Sequence, residues 1–288
     1  MKTKIISDSL SVIINSFGAE VCSVKNKQGV EFIWQADKTV WARHAPVLFP
    51  IVGKLKDDFF VYEDQKHELP QHGFARDMEF ELIESLPQKC TFQLKSNEQT
   101  KKTFPFEFIF QINYQLVENT LATNYKILNP ANKPLLFSIG AHPAFNCPLA
   151  YGETFNDYYL EFENDAFEIT QLNNGLLTDV KKGLKLENKK LFLNKKLFEN
   201  DALVFENNQI NTIRLCSTKS THSVTLNCKN WPYFGIWTKK GNDQFICLEP
   251  WFGIADHEHS TNNLLKKTGI INLAAKAEFN CNFSLIFS

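Results

Sequence analysis

The stretch Phe106-Glu107-Phe108-Ile109-Phe110-Gln111-Ile112-Asn113-Tyr114-Gln115-Leu116 has an apolar residue at every even position. The odd positions are Glu107, Gln111, Asn113 and Gln115, with Ile109 the apolar exception. Alternation of period two, rich in aromatics, predicts a half-buried antiparallel strand and not a helix face. The C-terminal end repeats it, with Phe279, Cys281, Phe283, Leu285 and Phe287 on one side and Asn280, Asn282 and Ser284 on the other. Shorter runs of the same type fall at 78–84, 90–95, 121–127, 158–163 and 223–228.

Turn chemistry separates these runs: Lys25-Asn26-Lys27-Gln28-Gly29, Asn129-Pro130-Ala131-Asn132, Asn173-Asn174-Gly175 and Lys239-Lys240-Gly241-Asn242. Helical periodicity is confined to 97–103 and 263–268, each long enough for one short turn of helix. Closely spaced strands with turns between them predict a large antiparallel β-sandwich, all-β with few short helices. No linker, low-complexity tract or internal repeat interrupts the pattern, so residues 1–288 are expected to form one domain.

Composition agrees. Of 288 residues, 43% are hydrophobic, 22% charged and 13% aromatic, which excludes disorder and coiled coil. The 26 Phe suit the inner faces of two broad sheets. A formal net charge of −1 gives no bulk field to hold nucleic acid or a membrane surface, and neither is expected as a partner. Only Arg43, Arg76 and Arg214 carry guanidinium groups, so an arginine-based phosphate clamp has few residues to draw on.

The seven Cys are odd in number and none stands in a C-x-x-C pair, which argues against a disulfide framework and a thiolate zinc site. Several occupy apolar positions of alternating runs, so reduced, buried thiols and a cytoplasmic location are expected. The N-terminus reaches Asp8 before a long apolar stretch forms, and no segment has the roughly 18 apolar residues of a membrane span. No signal peptide is expected.

Four stretches embed polar residues in apolar context: 46–54, Gln71-His72-Gly73-Phe74-Ala75-Arg76, Ile139-Gly140-Ala141-His142-Pro143-Ala144-Phe145, and Cys247-Leu248-Glu249-Pro250-Trp251-Phe252-Gly253. Groups placed this way are either paired core residues or site residues. Two His and one Glu, each next to Gly or Pro, are expected at strand ends, where loops on a rigid scaffold carry chemistry. A carboxylate with two imidazoles is sufficient for general acid–base work near neutral pH, and metal binding is the competing use of two His. Asp256-His257-Glu258-His259 also invites a metal reading, but no further His or Cys lies at ligand spacing, and a solvated loop is expected there. Gly73 and Gly140 are read as turn glycines, since neither opens a helix that would cradle phosphate.

The order His72-Gly73-Phe74-Ala75-Arg76, Gly140-Ala141-His142-Pro143, Asn200-Asp201-Ala202-Leu203-Val204-Phe205 and Leu248-Glu249-Pro250-Trp251 resembles the aldose 1-epimerase (galactose mutarotase) family. The likeness is closest to a bacterial mutarotase-like subgroup and runs from Phe17-Gly18-Ala19-Glu20 to the C-terminal strand. The resemblance implies a galactose mutarotase-like supersandwich with a sugar in an open groove, and interconversion of the α and β anomers of a free aldose without metal or organic cofactor. It further implies Glu249 as base, His142 as acid and His72 as a partner at the ring oxygen. Asp201 would bind sugar hydroxyls, and Trp251 and Phe145 would face the sugar's C–H surface. The substrate-contacting Arg of galactose-type members aligns with Lys54, which keeps the charge but loses the bidentate fork. Arg43 is the substitute donor in that reading. A monomer or homodimer is expected.

Other functions stay open on sequence. A glycosidase would use Asp201 and Glu249 about 5–9.5 Å apart, leaving both His redundant. A noncatalytic sugar-binding or sensor module would not require an acid–base pair. A hexose-6-phosphate mutarotase would need cations; no Arg cluster is evident near the motifs, although Lys54 and Lys56 are at hand.

Overall fold

A computed structural model describes residues 1–288. The strand around Phe110 spans Ile109–Val117 and lies between Lys89–Lys95 and Thr120–Leu128, which in turn pairs with Glu278–Phe287. The register aligns Phe92, Ile112, Tyr125 and Cys281 across four strands, all buried. Period-two sequence therefore becomes a continuous apolar face, because successive side chains of a strand point to opposite sides.

These four strands belong to a nine-stranded antiparallel sheet, completed by Glu81–Leu86 at one edge and by Ser223–Asn227, Thr212–Ser217, Tyr158–Phe162 and Lys190–Phe192 toward the other. A second, eight-stranded sheet runs Leu176–Lys185, Ala166–Asn173, Leu203–Phe205, Tyr233–Trp237, Phe245–Phe252, Ile139–Ala141 and Val47–Leu48, with Ala144–Asn146 also pairing to Phe245–Phe252. Lys2–Ile6, Leu10–Asn15 and Glu20–Asn26 form a separate three-stranded sheet. The fold is the antiparallel β-sandwich expected. Its single α-helix, Glu98–Thr103, is capped by Asn97, and the 263–268 segment holds one 3-10 turn, Leu264–Lys266.

One core of 66 buried residues fills the space between the sheets. Phe49 sits inside it with Phe108 and Phe110 each 5.0 Å away between ring centroids, so the Phe excess is concentrated here. All seven cysteines are buried and unpaired. No helix is long and apolar enough to cross a membrane.

The eight-stranded sheet is apolar on both faces, and parity sorts its residues. Ile246 and Leu248, Phe234 and Ile236, Leu203 and Phe205, and Ile139 and Ala141 point into the main core. Phe245, Cys247, Trp251 and Val204 belong to two smaller clusters, of four and seven residues, on the opposite face. The cavity lined by Glu249, Trp251 and Val204 lies on that opposite face.

Candidate active site

The cavity has a volume of about 510 Å³. The strand Phe245–Phe252 supplies Glu249 and Trp251, two residues apart and therefore on the same side. Glu249 lies within this strand, paired to Gly235, and not at the strand end expected from Pro250. Trp251 forms part of the floor. Room for its indole comes from Gly235 on the adjacent strand, where a Cβ would stand 2.3 Å from Trp251 Cη2 and Cζ2. Gly140 serves the other edge: it is a mid-strand residue, not a turn glycine, and a Cβ there would lie 2.7 Å from Trp251 Cδ1.

His142 follows the strand Ile139–Ala141, and its backbone N–H donates to the Pro46 carbonyl at 3.1 Å. Its Nε2 lies 3.2 Å from Glu249 Oε2, with both side chains under one-tenth exposed. Trp41 stacks on the His142 ring at 5.1 Å between centroids, and Trp237 meets it edge-on at 5.7 Å. Burial among these rings pushes Glu249 well above the usual carboxylate range. The Trp251 indole N–H opposes that shift weakly, since it makes no hydrogen bond of normal geometry, and the Asp201 charge adds to it. Burial also pulls His142 down to about 3, with the positive charges of Arg76 and Arg43 acting in the same direction. Both shifts favour the neutral forms, a protonated carboxyl and an uncharged imidazole.

His72 comes from the loop between Leu69 and Phe74. Its φ is +67°, in the region that non-glycine residues rarely adopt, and Gly73 follows at +69°. No other residue fits at Gly73, because a Cβ would stand 2.4 Å from the Phe49 carbonyl oxygen. That carbonyl accepts from Phe74 and Ala75, tying the loop to a ring anchored in the core. His72 and Gly53 are joined twice: His72 N–H donates to the Gly53 carbonyl at 2.9 Å, and Gly53 N–H donates to His72 Nδ1 at 3.1 Å. An accepting Nδ1 leaves the proton of the neutral ring on Nε2, which lies 3.3 Å from the Gln71 side-chain amide. The ring stands edge-on to His142 at 5.7 Å. His72 keeps part of its surface open to the cavity, and removal from bulk water, with His142, Arg76 and Arg43 nearby, lowers its pKa.

Asp201 lines the cavity from the turn before Leu203–Phe205, with φ +82° and its carboxylate accepting from Ala202 N–H at 2.8 Å. Glu249, His142, His72, Asp201 and Trp251 thus converge. Phe145 does not: it pairs with Ile246, shares its core-facing parity and is fully buried between the sheets. Lys54 does not line the cavity; its Cδ lies 3.5 Å from where a Cβ on the lining residue Gly175 would stand. Arg43 donates to Asp77 at 2.9 Å outside the lining.

Among the lining residues to which the sequence assigns no role are Arg76, Trp41, Trp237 and Lys239, whose Nζ donates to the Val40 carbonyl at 2.8 Å. Arg76 donates to the Gln71 carbonyl, and its Nε is buried without a hydrogen-bond partner. Burial and the Arg43 charge pull its pKa down to about 10. Asp77 lies 2.9 Å from Arg43 and 3.7 Å from Arg76, so two of the three arginines do gather near His72. The signal was the Arg within the His72 stretch itself.

The family model described as aldose 1-epimerase matches residues 2–282. A plasmid-encoded protein LacX of Lactococcus lactis subsp. lactis is 33% identical over 277 residues, 93% of each chain. A galactose mutarotase related enzyme from Lactobacillus acidophilus superposes with a TM-score of 0.96 at 36% identity, covering 100% of this chain and 97% of that one. A galactose mutarotase-like protein from Lactobacillus casei gives 0.92 at 30% identity over 100% of both chains. The chain belongs to the aldose 1-epimerase family.

Proposed function

We propose that the protein interconverts the α and β anomers of an aldose by opening and closing the sugar ring. The observation that carries this reading is the 3.2 Å contact between His142 Nε2 and Glu249 Oε2 at the base of a cavity walled by indoles. Ring opening requires a base at the C1 hydroxyl and an acid at the ring oxygen. Glu249 and His142 are two such groups with one proton between them. Sugar hydroxyls donating to the Glu249 carboxyl favour its charged form, which moves the proton to His142 for delivery to the ring oxygen. Glu249 then takes the C1 hydroxyl proton. Rotation about C1–C2 presents the other carbonyl face, and the same pair acts in reverse to close the ring.

Around this pair, the His72 Nε2–H is a donor for the ring oxygen, Asp201 an acceptor for hydroxyls, and Trp251 a flat apolar surface for C–H groups. Arg76 and Lys239, not Lys54, are the cations of the lining, and Arg76 alone offers a guanidinium. The gathering of Arg76 and Arg43 favours a second reading, in which the aldose carries a 6-phosphate.

Anomer exchange followed by NMR and polarimetry on glucose, galactose and their 6-phosphates tests both. Glu249→Gln is expected to slow exchange by about 10²–10⁴ while sugar binding persists. Exchange by that variant at the wild-type rate overturns the mechanism. Wild-type inactivity on every aldose, with measurable sugar binding, favours a noncatalytic module.

A further inference from the structure

Directly beside the acid–base pair is a group that ring opening leaves unused. Cys247 precedes Glu249 by two residues on the same strand, so its thiol faces the same side of the sheet. Cys247 Sγ, a ring nitrogen of His142 and a carboxylate oxygen of Glu249 all lie within 4.8 Å of one another, and all three residues are buried. His142 Nδ1 has no hydrogen-bond partner.

Nitrogen, sulfur and oxygen donors converging from three residues are the ligand types of a four-coordinate zinc site with one open position. Zinc–ligand bonds of about 2.0–2.3 Å place tetrahedral ligands about 3.3–3.8 Å apart, so the trio closes on a metal through small side-chain rotations. Charge suits the place as well. A dication with one thiolate, one carboxylate and a neutral imidazole is electrically neutral, which favours a pocket walled by Trp41, Trp237 and Phe245. The thiol and any carboxyl proton leave to solvent as the metal binds.

We propose that the cavity base is an inhibitory site for zinc and chemically similar divalent cations, held by His142, Cys247 and Glu249 with the fourth position open to the cavity. The inhibition rests on the acid–base reading given above; the binding does not. A metal here occupies both groups that move protons, and anomer exchange stops.

The rival place for a metal is the surface, where His257 and His259 Nε2 stand 3.2 and 3.7 Å from the exposed Asp179 carboxylate. That cluster has no sulfur, which makes the two separable. Cobalt titrated into the full, metal-free chain should give one bound ion and a thiolate-to-cobalt charge-transfer band in the near ultraviolet, displaced by zinc. Cys247→Ser should abolish the band and weaken zinc binding in calorimetry at least tenfold. His257→Ala/His259→Ala should change neither. Cys247→Ala, which buries no new hydroxyl, repeats the comparison if the serine variant folds poorly. Absence of the band, its persistence without Cys247, or zinc affinity that follows His257 and His259 overturns the proposal. An active enzyme that binds cobalt with the band yet exchanges anomers at full rate under saturating zinc overturns the inhibition. A protein that shows the band but never exchanges anomers keeps the metal site and loses the acid–base reading, so the two failures are distinct.

Discussion

Replacing Gly235 by alanine perturbs the cavity floor without touching a titrating group. The added Cβ would stand 2.3 Å from Trp251 Cη2 and Cζ2 and 3.3 Å from Cε2. Carbon atoms rest at about 3.5–4.0 Å, so the ring must move by about 1.2 Å or more along this contact. Gly140 backs the other edge of the indole, where a Cβ would stand 2.7 Å from Cδ1, and Trp251 lines the cavity. Overpacking of this kind costs about 1–3 kcal/mol. Gly235 does not need a left-handed backbone, so the alanine also restrains the unfolded chain and returns about 0.4–1 kcal/mol. The net loss is at most about 2.6 kcal/mol, a drop in Tm of up to roughly 4 °C for a chain of this size. Because the ring rises where a sugar would lie, KM should increase more than kcat falls. Scanning calorimetry and polarimetric exchange over a sugar concentration series measure both. In a Trp251→Phe background, which lacks the outer ring of the indole, the same alanine should cost less, a non-additivity expected of residues in contact. A Gly235→Ala protein with wild-type Tm and wild-type KM refutes the reasoning.

Burial holds Glu249 above its ordinary pKa, so its contribution to stability is complete below the unfolded value of about 4.3 and is lost as pH rises through the folded one. Glu249→Gln should therefore raise Tm at pH 7 and leave it unchanged near pH 4; a lower Tm at pH 7 would contradict the burial argument. His142 runs the other way: its folded pKa of about 3 lies below the ordinary value near 6.5, so its stabilisation is present above about 6.5 and declines as pH falls toward 3. His142→Gln should flatten that acid limb in a Tm–pH series. Lys267 Nζ donates to Asp256 Oδ1 and the Ile254 carbonyl, each at 2.8 Å, in a pair 3% exposed on both sides. Lys267→Met strands the carboxylate and should cost about 3–5 kcal/mol in urea unfolding, with a loss under about 1 kcal/mol counting against the pair. Arg76→Lys should raise KM roughly ten- to hundredfold through a lost charged hydrogen bond of about 1.5–3 kcal/mol, and an unchanged KM removes Arg76 from sugar contact.

Long strands were readable because alternation over nine or ten residues admits one burial pattern. Ile109–Val117 and Glu278–Phe287 emerge with the expected faces inward. Short ones were not. Ala144–Asn146 spans three residues, too few to fix which side Phe145 takes, and its pairing with Ile246 decided for the core. Glu249 was legible as a carboxylate in an apolar run, yet its place inside a strand was not, because a strand apolar on both faces has no visible period. Arg76 escaped notice for a different reason: its position in the cavity follows from the His72–Gly73 bend, a long-range fit against Phe49. Trp41 and Trp237 come together only through the fold.

The eight-stranded sheet has a consequence for how such a chain can change over generations. Along Phe245–Phe252 and Tyr233–Trp237, alternate residues answer to different demands: one set secures the sandwich, and Glu249, Trp251 and Trp237 from the set between them line the cavity. A lineage can exchange residues of the second set to reshape the cavity while inheriting the first set intact. Tolerance for novelty is thus written into every second residue.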